Sequence, residues 1–267
     1  MNINQINEIK ENGITTVKSF LNENELSIIK DIVQTYSASK GGSKSYFSTN
    51  WKLLLYKIPT FQFKKLKHDL TILKLADKKK LNEFANKFFG VKSFLKFIDG
   101  YYSPIKDQDV LPWHTDQAYE GVEKNFEGFV NPEHAHLKFF IYLTDVGPDN
   151  GCTSYIPKSH KIGYALRKGI YEKKIKFEPY FLLKDFRNFI SKNENKSYIN
   201  NFLKDNSIID NFLDDTSFIK ENKNSKKFDF SLKAGDMIIF DEGGVHKGSK
   251  SLINERLILR YLYSIRK

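Results

Sequence analysis

LKFFIYLTDVGPDNGCTSYI, residues 137–156, is the stretch that decides the fold. Its two runs of β-branched and aromatic residues, 137–145 and 152–156, read as short strands, and the turn-forming residues 147–151 separate them. Similar runs predict further strands at 91–102, 228–232, 237–241 and 257–263. Many short strands with turn residues between them indicate a β-sandwich or a barrel.

The first 90 residues have a different character. Residues 14–20 follow Gly13 and read as a strand, and the apolar spacing then predicts helices at 22–36, 61–75 and 81–89, the last closed by Gly90. Because helices come first and strands later, we expect a mainly β fold with flanking α-helices. The predicted architecture is a jelly roll in one domain, 1–267, with an N-terminal helical part over about 1–90.

Residues 164–227 interrupt the series of strands. The segment is rich in Lys, Asn, Asp and aromatic residues, and it has weak helical periodicity at 181–190 and 198–218. We interpret it as an insertion between two strands of the core. The sequence leaves open whether it is a lid or a homodimer contact, for which Tyr180, Phe181 and Phe186 are the candidate exposed aromatics.

Composition narrows the class of protein. The 267 residues carry a net charge of +11, but the lysines are spread along the chain and form no dense stripe. This distribution does not favour a nucleic-acid partner. A solvated basic surface, or a surface that attracts small anions, explains the charge equally well or better. The single cysteine, Cys152, excludes an internal disulfide and fits a reducing cytoplasm. No apolar run is long enough for a membrane span, and the first residues lack a secretory signal.

The stretch PWHTDQ, residues 112–117, contains a candidate metal site. Side chains at i and i+2 of a strand point to the same side, so His114 and Asp116 can reach one ion together. A third ligand is available in GGVHKGS, residues 243–249, as His246. Two histidines and one carboxylate form the facial triad that binds Fe(II) and leaves coordination positions open.

A candidate partner for an oxoacid follows ten residues after His246. Arg256 begins the strand-like run 257–263, and its guanidinium can hold a carboxylate through two parallel hydrogen bonds. Arg260 lies on the same side of that strand and is the alternative.

These motifs together resemble the phytanoyl-CoA dioxygenase family of Fe(II)/2-oxoglutarate oxygenases. The resemblance extends over most of the chain: residues 12–21 at the start, WHTDQ at 113–117, TDVGPDNGC at 144–152 with IPKSHK at 156–161, Gly235-Asp236 through Phe240, then His246 and Arg256. Residues 164–227 fall outside it. Two departures are Thr115 where the family has Gln, and Lys247 before Gly248-Ser249 where the family has His-Gly-Ser.

The resemblance implies a double-stranded β-helix, the cupin-like jelly roll. It implies that His114, Asp116 and His246 bind Fe(II), that Arg256 holds 2-oxoglutarate, and that Phe140 and Ser249 belong to the same co-substrate site. With O2, such an enzyme hydroxylates a small-molecule metabolite and releases succinate and CO2. The carboxylate of Asp116 favours hydroxylation over halogenation.

Two other functions stay open at this stage: a nucleic-acid-modifying oxygenase and a catalytically silent β-sandwich that binds a partner. The sequence does not identify the substrate. We expect the residues that select it in segments 37–50, 101–111 and 118–132 and in the insertion, and the basic charge favours a small anionic metabolite.

Overall fold

In a computed structural model, residues 1–37, 44–50, 63–116, 135–219 and 226–265 are described. The helices are α1 (Ile3–Asn12), α2 (Glu23–Ser37), α3 (Phe63–Lys78), α4 (Leu81–Phe89), α5 (Ser159–Tyr171), α6 (Leu183–Ile190), α7 (Asn193–Leu203) and α8 (Ser207–Asp215), with a 3-10 turn at Ser217–Ile219. The strands are β1 (Ile14–Val17), β2 (Lys44–Phe47), β3 (Phe94–Ser103), β4 (Leu111–His114), β5 (His136–Tyr142), β6 (Thr153–Tyr155), β7 (Met237–Asp241), β8 (His246–Gly248) and β9 (Arg256–Ser264).

The larger sheet has six antiparallel strands in the order β1-β7-β5-β9-β3-β2. Alternation along the strands gives it two buried faces. One face packs against α1–α4 around Ile9, Val33, Ile72 and Phe88. The opposite face points into the space between the sheets, where Phe140, Phe240 and Ile258 form a separate core cluster.

The smaller sheet contains β4, β8 and β6 in that order. Asp229 adds a single bridge to Ser154 at its edge, and Leu232 bridges to Val146. Residues 228–232, predicted as a strand, therefore form two isolated bridges instead. The two sheets face each other as a jelly roll, which confirms the predicted fold class.

The N-terminal region confirms the three predicted helices and adds two elements that the sequence reading missed. Helix α1 begins with a capping box in which the side chains of Asn2 and Gln5 each accept a backbone hydrogen bond, and it ends at Gly13 with φ +87°. Strand β2 lies in segment 37–50, where no strand was predicted, and it pairs with β3 at the edge of the larger sheet.

The insertion between β6 and β7 is helical. It contains α6–α8 and the end of α5, and its own core joins Phe186, Ile199 and Phe212 to Val245 of the jelly roll. Tyr180 and Phe186 were predicted as exposed aromatics, and this was wrong: both are buried in this core, because helical packing turns them inward. None of the described helices is both long and apolar enough to span a membrane.

Candidate metal centre and co-substrate cavity

Two histidines face each other across neighbouring strands of the smaller sheet. His114 ends β4 and His246 begins β8, and the antiparallel register pairs them directly, with ring centroids 4.3 Å apart. The Nδ1 atom of His114 lies 2.7 Å from the carbonyl oxygen of Pro112, and that of His246 lies 2.9 Å from the carbonyl oxygen of Gly244. When each Nδ1–H donates to its carbonyl, both Nε2 atoms are left with a lone pair for a cation.

Asp116 supplies the third group, although it lies beyond the end of β4 and not within the strand as predicted. Its Oδ1 atom is 3.4 Å from His114 Nε2, and its Oδ2 atom is 3.4 Å from His246 Nε2. The three side chains offer ligand atoms that lie within 4.8 Å of one another. The structure therefore brings together the three residues that the spacing singled out.

The surroundings of this triad suit a divalent cation. The Nε2 atom of His114 is buried and makes no hydrogen bond among the described residues. Burial lowers the pKa of His246 below its ordinary value, although Asp116 opposes the shift, so the neutral imidazole that binds metals is favoured. Burial alone would raise the pKa of Asp116, but Lys138 and the two imidazoles hold it well below its ordinary value. A carboxylate and two neutral imidazoles are a donor set that fits Fe(II).

A buried ion-pair chain adjoins the triad. Lys138 of β5 contacts the carboxylate of Asp116, and its ammonium is 3.0 Å from Glu242, which in turn contacts His136. The sequence reading missed Lys138 and Glu242. The available signal was a lysine in an otherwise apolar strand, two residues before Phe140 and therefore on the same face.

The triad opens onto a cavity of about 200 Å³ between the two sheets. Arg256 and Arg260 both line it, because residues four apart in β9 share a face, but their surroundings differ. Arg260 forms a bidentate ion pair with Asp99, with its Nε atom 2.6 Å from Oδ1. Arg256 is 3% exposed, its Nε atom has no hydrogen-bond partner, and no described carboxylate pairs with it. A buried guanidinium without a counter-ion fits an incoming carboxylate.

The other two predicted co-substrate residues have different positions. Phe140 lines the cavity and packs edge-on against Phe240, which also contacts His246. Ser249 does not line the cavity. It follows the end of β8, and its hydroxyl lies 3.1 Å from that of Ser154, whereas His246, Lys247 and Gly248 line the cavity. The geometry thus gives no support to a co-substrate role for Ser249.

The insertion reaches the metal-binding strand. The Phe181 ring centroid is 5.2 Å from that of His114, and the Thr115 amide donates to the Phe181 carbonyl oxygen at 3.1 Å. Leu182 forms a bridge with His114. The insertion therefore forms part of the wall behind the triad, a contact that the sequence reading did not foresee.

A jelly roll with two histidines and an aspartate converging at one end of its interior defines a class of non-haem iron proteins. The family profile of phytanoyl-CoA dioxygenase (PhyH) matches residues 9–252, and the chain belongs to this family. The resemblance stated from the motifs is thereby confirmed. No protein of curated function matches the chain.

Several solved structures share the fold. The carbocyclase SnoK from nogalamycin biosynthesis, a non-haem α-ketoglutarate-dependent enzyme, aligns over 99% of this chain and 84% of its own with a TM-score of 0.57 and 15% identity. HygX from Streptomyces hygroscopicus, with nickel and 2-oxoglutarate bound, aligns over 99% and 86% with a TM-score of 0.58 and 13% identity. The epimerase SnoN, in complex with Fe3+, α-ketoglutarate and nogalamycin RO, aligns over 98% and 82% with a TM-score of 0.54 and 14% identity.

Proposed function

We propose that this chain is an Fe(II)- and 2-oxoglutarate-dependent dioxygenase that hydroxylates a small-molecule metabolite, with release of succinate and CO2. The observation that carries the proposal is the meeting of two groups on the wall of one cavity: a His-Asp-His triad and a buried arginine that has no ion-pair partner among the described residues. A metal site alone has many uses. A metal site that shares a cavity with a carboxylate-binding arginine suits a chelating oxoacid.

In this proposal His114, Asp116 and His246 hold Fe(II), Arg256 holds the far carboxylate of 2-oxoglutarate, and Phe140 packs beside it. Iron and 2-oxoglutarate, when bound, supply the oxidising chemistry that uses O2. The protein's own contribution is positioning and exclusion of water. The Nδ1 contacts to backbone carbonyls orient both imidazoles, and Lys138 orients the carboxylate of Asp116.

A small-molecule substrate is supported by the cavity beside the triad and by the bound molecules named for neighbours, which include nogalamycin RO in SnoN and hygromycin B in HygX. We propose that residues 164–227 form a wall and lid of the site, which the contact of Phe181 with His114 supports. The buried thiol of Cys152 supports a reducing, cytoplasmic location. Of the segments expected to select the substrate, residues 38–43, 118–132 and 220–225 lie outside the described residues.

The proposal is tested by anaerobic loading with Fe(II) followed by addition of 2-oxoglutarate and isotopically labelled O2. We expect slow, iron-dependent formation of succinate that carries one labelled oxygen atom, even without the true substrate. His114→Ala abolishes it, whereas His68→Ala, which changes a histidine that contacts Tyr36 outside the cavity, leaves it intact. Succinate formation that persists in His114→Ala, or its absence from fully iron-loaded wild-type protein, contradicts the proposal.

A further inference from the structure

The cavity carries an excess of positive charge. Among the described lining residues, five side chains are cationic and one, Asp116, is acidic. Carboxylates pair with three of these cations: Asp99 with Arg260, Asp109 with Lys247 at 3.7 Å, and Asp116 and Glu242 with Lys138. Arg256 and Lys44 have no ion-pair partner among the described residues. Among the described residues, five cations against four carboxylates leave one positive charge in excess.

The proposed cofactors do not remove this excess. Fe(II) adds two positive charges and 2-oxoglutarate adds two negative charges, so their sum is zero. Within the loaded site, Arg256 is engaged by the far carboxylate of 2-oxoglutarate. Lys44 is then the remaining cation of the described lining without a counter-ion, and the excess charge resides near it.

Lys44 and Arg260 form the outer part of the cavity wall. Lys44 pairs with Tyr101 across β2 and β3, and paired residues share a face of the sheet. The Arg260 guanidinium lies 5.2 Å from the Tyr101 ring centroid and 5.4 Å from that of Phe140, and Asp99 fixes it from the far side. Arg256 and Arg260 are roughly 13 Å apart along β9, since each residue of a strand adds about 3.3 Å. The two cationic ends of the cavity are therefore distinct.

Among the described residues, the charges around the Lys44 ammonium are on balance unfavourable to it. Burial, and then the charge of Arg260, lower the pKa of the Lys44 ammonium below its ordinary value, and Lys138 acts in the same direction. Asp99 and Asp116 oppose this without cancelling it. A cation that is destabilised by its neighbours gains most from an anionic ligand.

We propose that the substrate carries a small oxyanion, a carboxylate or a phosphoryl group, that Lys44 binds at the outer end of the cavity beside Arg260. This inference rests on the proposed function, because it assigns Arg256 to 2-oxoglutarate. It makes Lys44 a specificity-determining residue. Neutral metabolites of the same shape bind more weakly, because they leave the excess charge uncompensated.

The test uses metal-loaded protein and two oxyanion probes. Protein with Ni(II) is first titrated with 2-oxoglutarate to saturation. Acetate and methylphosphonate are then titrated separately at constant ionic strength, and their dissociation constants are compared for wild type, Lys44→Gln and Lys96→Gln. Lys96 is an exposed lysine of β3 that does not line the cavity, so its change of charge is a matched control.

We expect wild type to bind at least one probe, and Lys44→Gln to weaken that binding by about tenfold, the effect of losing one charge-assisted contact. The stronger probe identifies the group as carboxylate or phosphoryl. Affinity for 2-oxoglutarate stays unchanged in Lys44→Gln. If 2-oxoglutarate binds but neither probe does, or if Lys44→Gln behaves like Lys96→Gln, this inference alone is overturned. If 2-oxoglutarate does not bind, the proposed function is overturned as well.

Discussion

At the scale of single residues, Arg256 and Arg260 face the same cavity but have different electrostatic surroundings. Asp99 neutralises Arg260 through two hydrogen bonds, while Arg256 is buried without an ion-pair partner in the described part of the chain. The sequence placed both arginines on one side of a strand and favoured Arg256 with Arg260 as the alternative, but it did not show which of them pairs with a carboxylate. That distinction depends on Asp99, which lies 161 residues away along the chain.

Replacing Arg256 tests this difference directly. Arg256→Met is expected to weaken 2-oxoglutarate binding by about tenfold to a hundredfold, since it removes charge-assisted hydrogen bonds to a carboxylate. Arg256→Lys keeps the charge but loses the planar fork, so its affinity falls in between. The measurement is isothermal titration of 2-oxoglutarate into Mn(II)-loaded protein. Wild-type affinity in Arg256→Met would exclude this arginine from the co-substrate site.

Lys138 makes a second residue-scale prediction, about metal binding. Its ammonium compensates the partly buried Asp116 and the buried Glu242, so Lys138→Met removes the lysine that faces both carboxylates and destabilises the metal-free protein by about 3–5 kcal/mol. A divalent metal ion then replaces the missing charge. Added Mn(II) should therefore raise the melting temperature more in Lys138→Met than in wild type. Lys138→Arg keeps the charge and serves as the control, and an equal or smaller metal effect in Lys138→Met would refute the explanation.

At the scale of elements, the turn between β7 and β8 sets the position of His246. A Cβ atom on Gly244 would lie 1.9 Å from the hydroxyl of Tyr155, a buried side chain that donates to the Asp241 carbonyl oxygen at 3.0 Å. The Gly244 carbonyl oxygen also lies at 2.9 Å from Nδ1 of His246. The close approach of backbone and ring explains why this turn contains glycine.

Gly244→Ala is expected to destabilise the protein by about 1–3 kcal/mol, the usual effect of overpacking, and to weaken metal binding because His246 is displaced. Gly147→Ala is the control, because its Cβ atom would find Ser231 at an ordinary 3.5 Å. The same Cβ atom would lie 2.4 Å from Cζ of Tyr155, so removing the hydroxyl alone with Tyr155→Phe should not restore the metal affinity. Thermal unfolding with and without Mn(II) measures both the stability and the metal affinity of each variant. Wild-type metal affinity in Gly244→Ala would show that the turn does not position His246.

Local patterns predicted most elements, and the failures have physical causes. Strand β7 was predicted with its exact bounds because it is a continuous apolar run after a turn. Residues 228–232 were also predicted as a strand, but they form only two isolated bridges, at Asp229 and Leu232. Helix α1 was missed because its buried face consists of two residues, Ile6 and Ile9. The burial of Phe186 depends on helices that pack against it from within the insertion, which periodicity alone does not reveal.

At the scale of the whole molecule, Asp236 ties the N-terminal region to the jelly roll. Its carboxylate accepts hydrogen bonds from the amides of Ser19 and Lys233 and from the ammonium of Lys18. Burial would raise the pKa of Asp236, but these donors lower it below its ordinary value. The resemblance singled out Gly235-Asp236, but it did not predict the link to the residues that follow β1.

This link predicts a pH dependence of stability. A carboxyl group whose pKa is lowered on folding stabilises the protein above its unfolded pKa, and the contribution is lost as the pH falls through the folded pKa. Asp236→Asn should therefore lower the free energy of unfolding by about 1–3 kcal/mol at pH 7. The difference from wild type should shrink as the pH falls below about 4. Denaturant titrations at several pH values measure this difference in the free energy of unfolding, and Asp31→Asn, at an exposed aspartate, is the control. A difference that grows as the pH falls would contradict the prediction.

The jelly roll itself was predictable because turn residues separate its strands and because the triad residues occur in a fixed order along the chain. Which residues meet across the interior was less predictable. Lys44 comes from an edge strand that was not predicted, and Glu242 follows β7, a strand that is apolar up to its last residue, Asp241. Long-range pairing of this kind depends on register, and local sequence does not encode register strongly.

The most direct test of the central claim is optical. Purified protein is mixed with Fe(II) and 2-oxoglutarate without oxygen, and the visible spectrum is recorded for the metal-to-ligand charge-transfer band of an iron–oxoacid chelate. We predict a band in wild type that is absent from His114→Ala and weaker in Arg256→Ala at limiting 2-oxoglutarate. Iron-loaded wild-type protein that shows no band would contradict the claim that the triad and Arg256 form one iron and 2-oxoglutarate site.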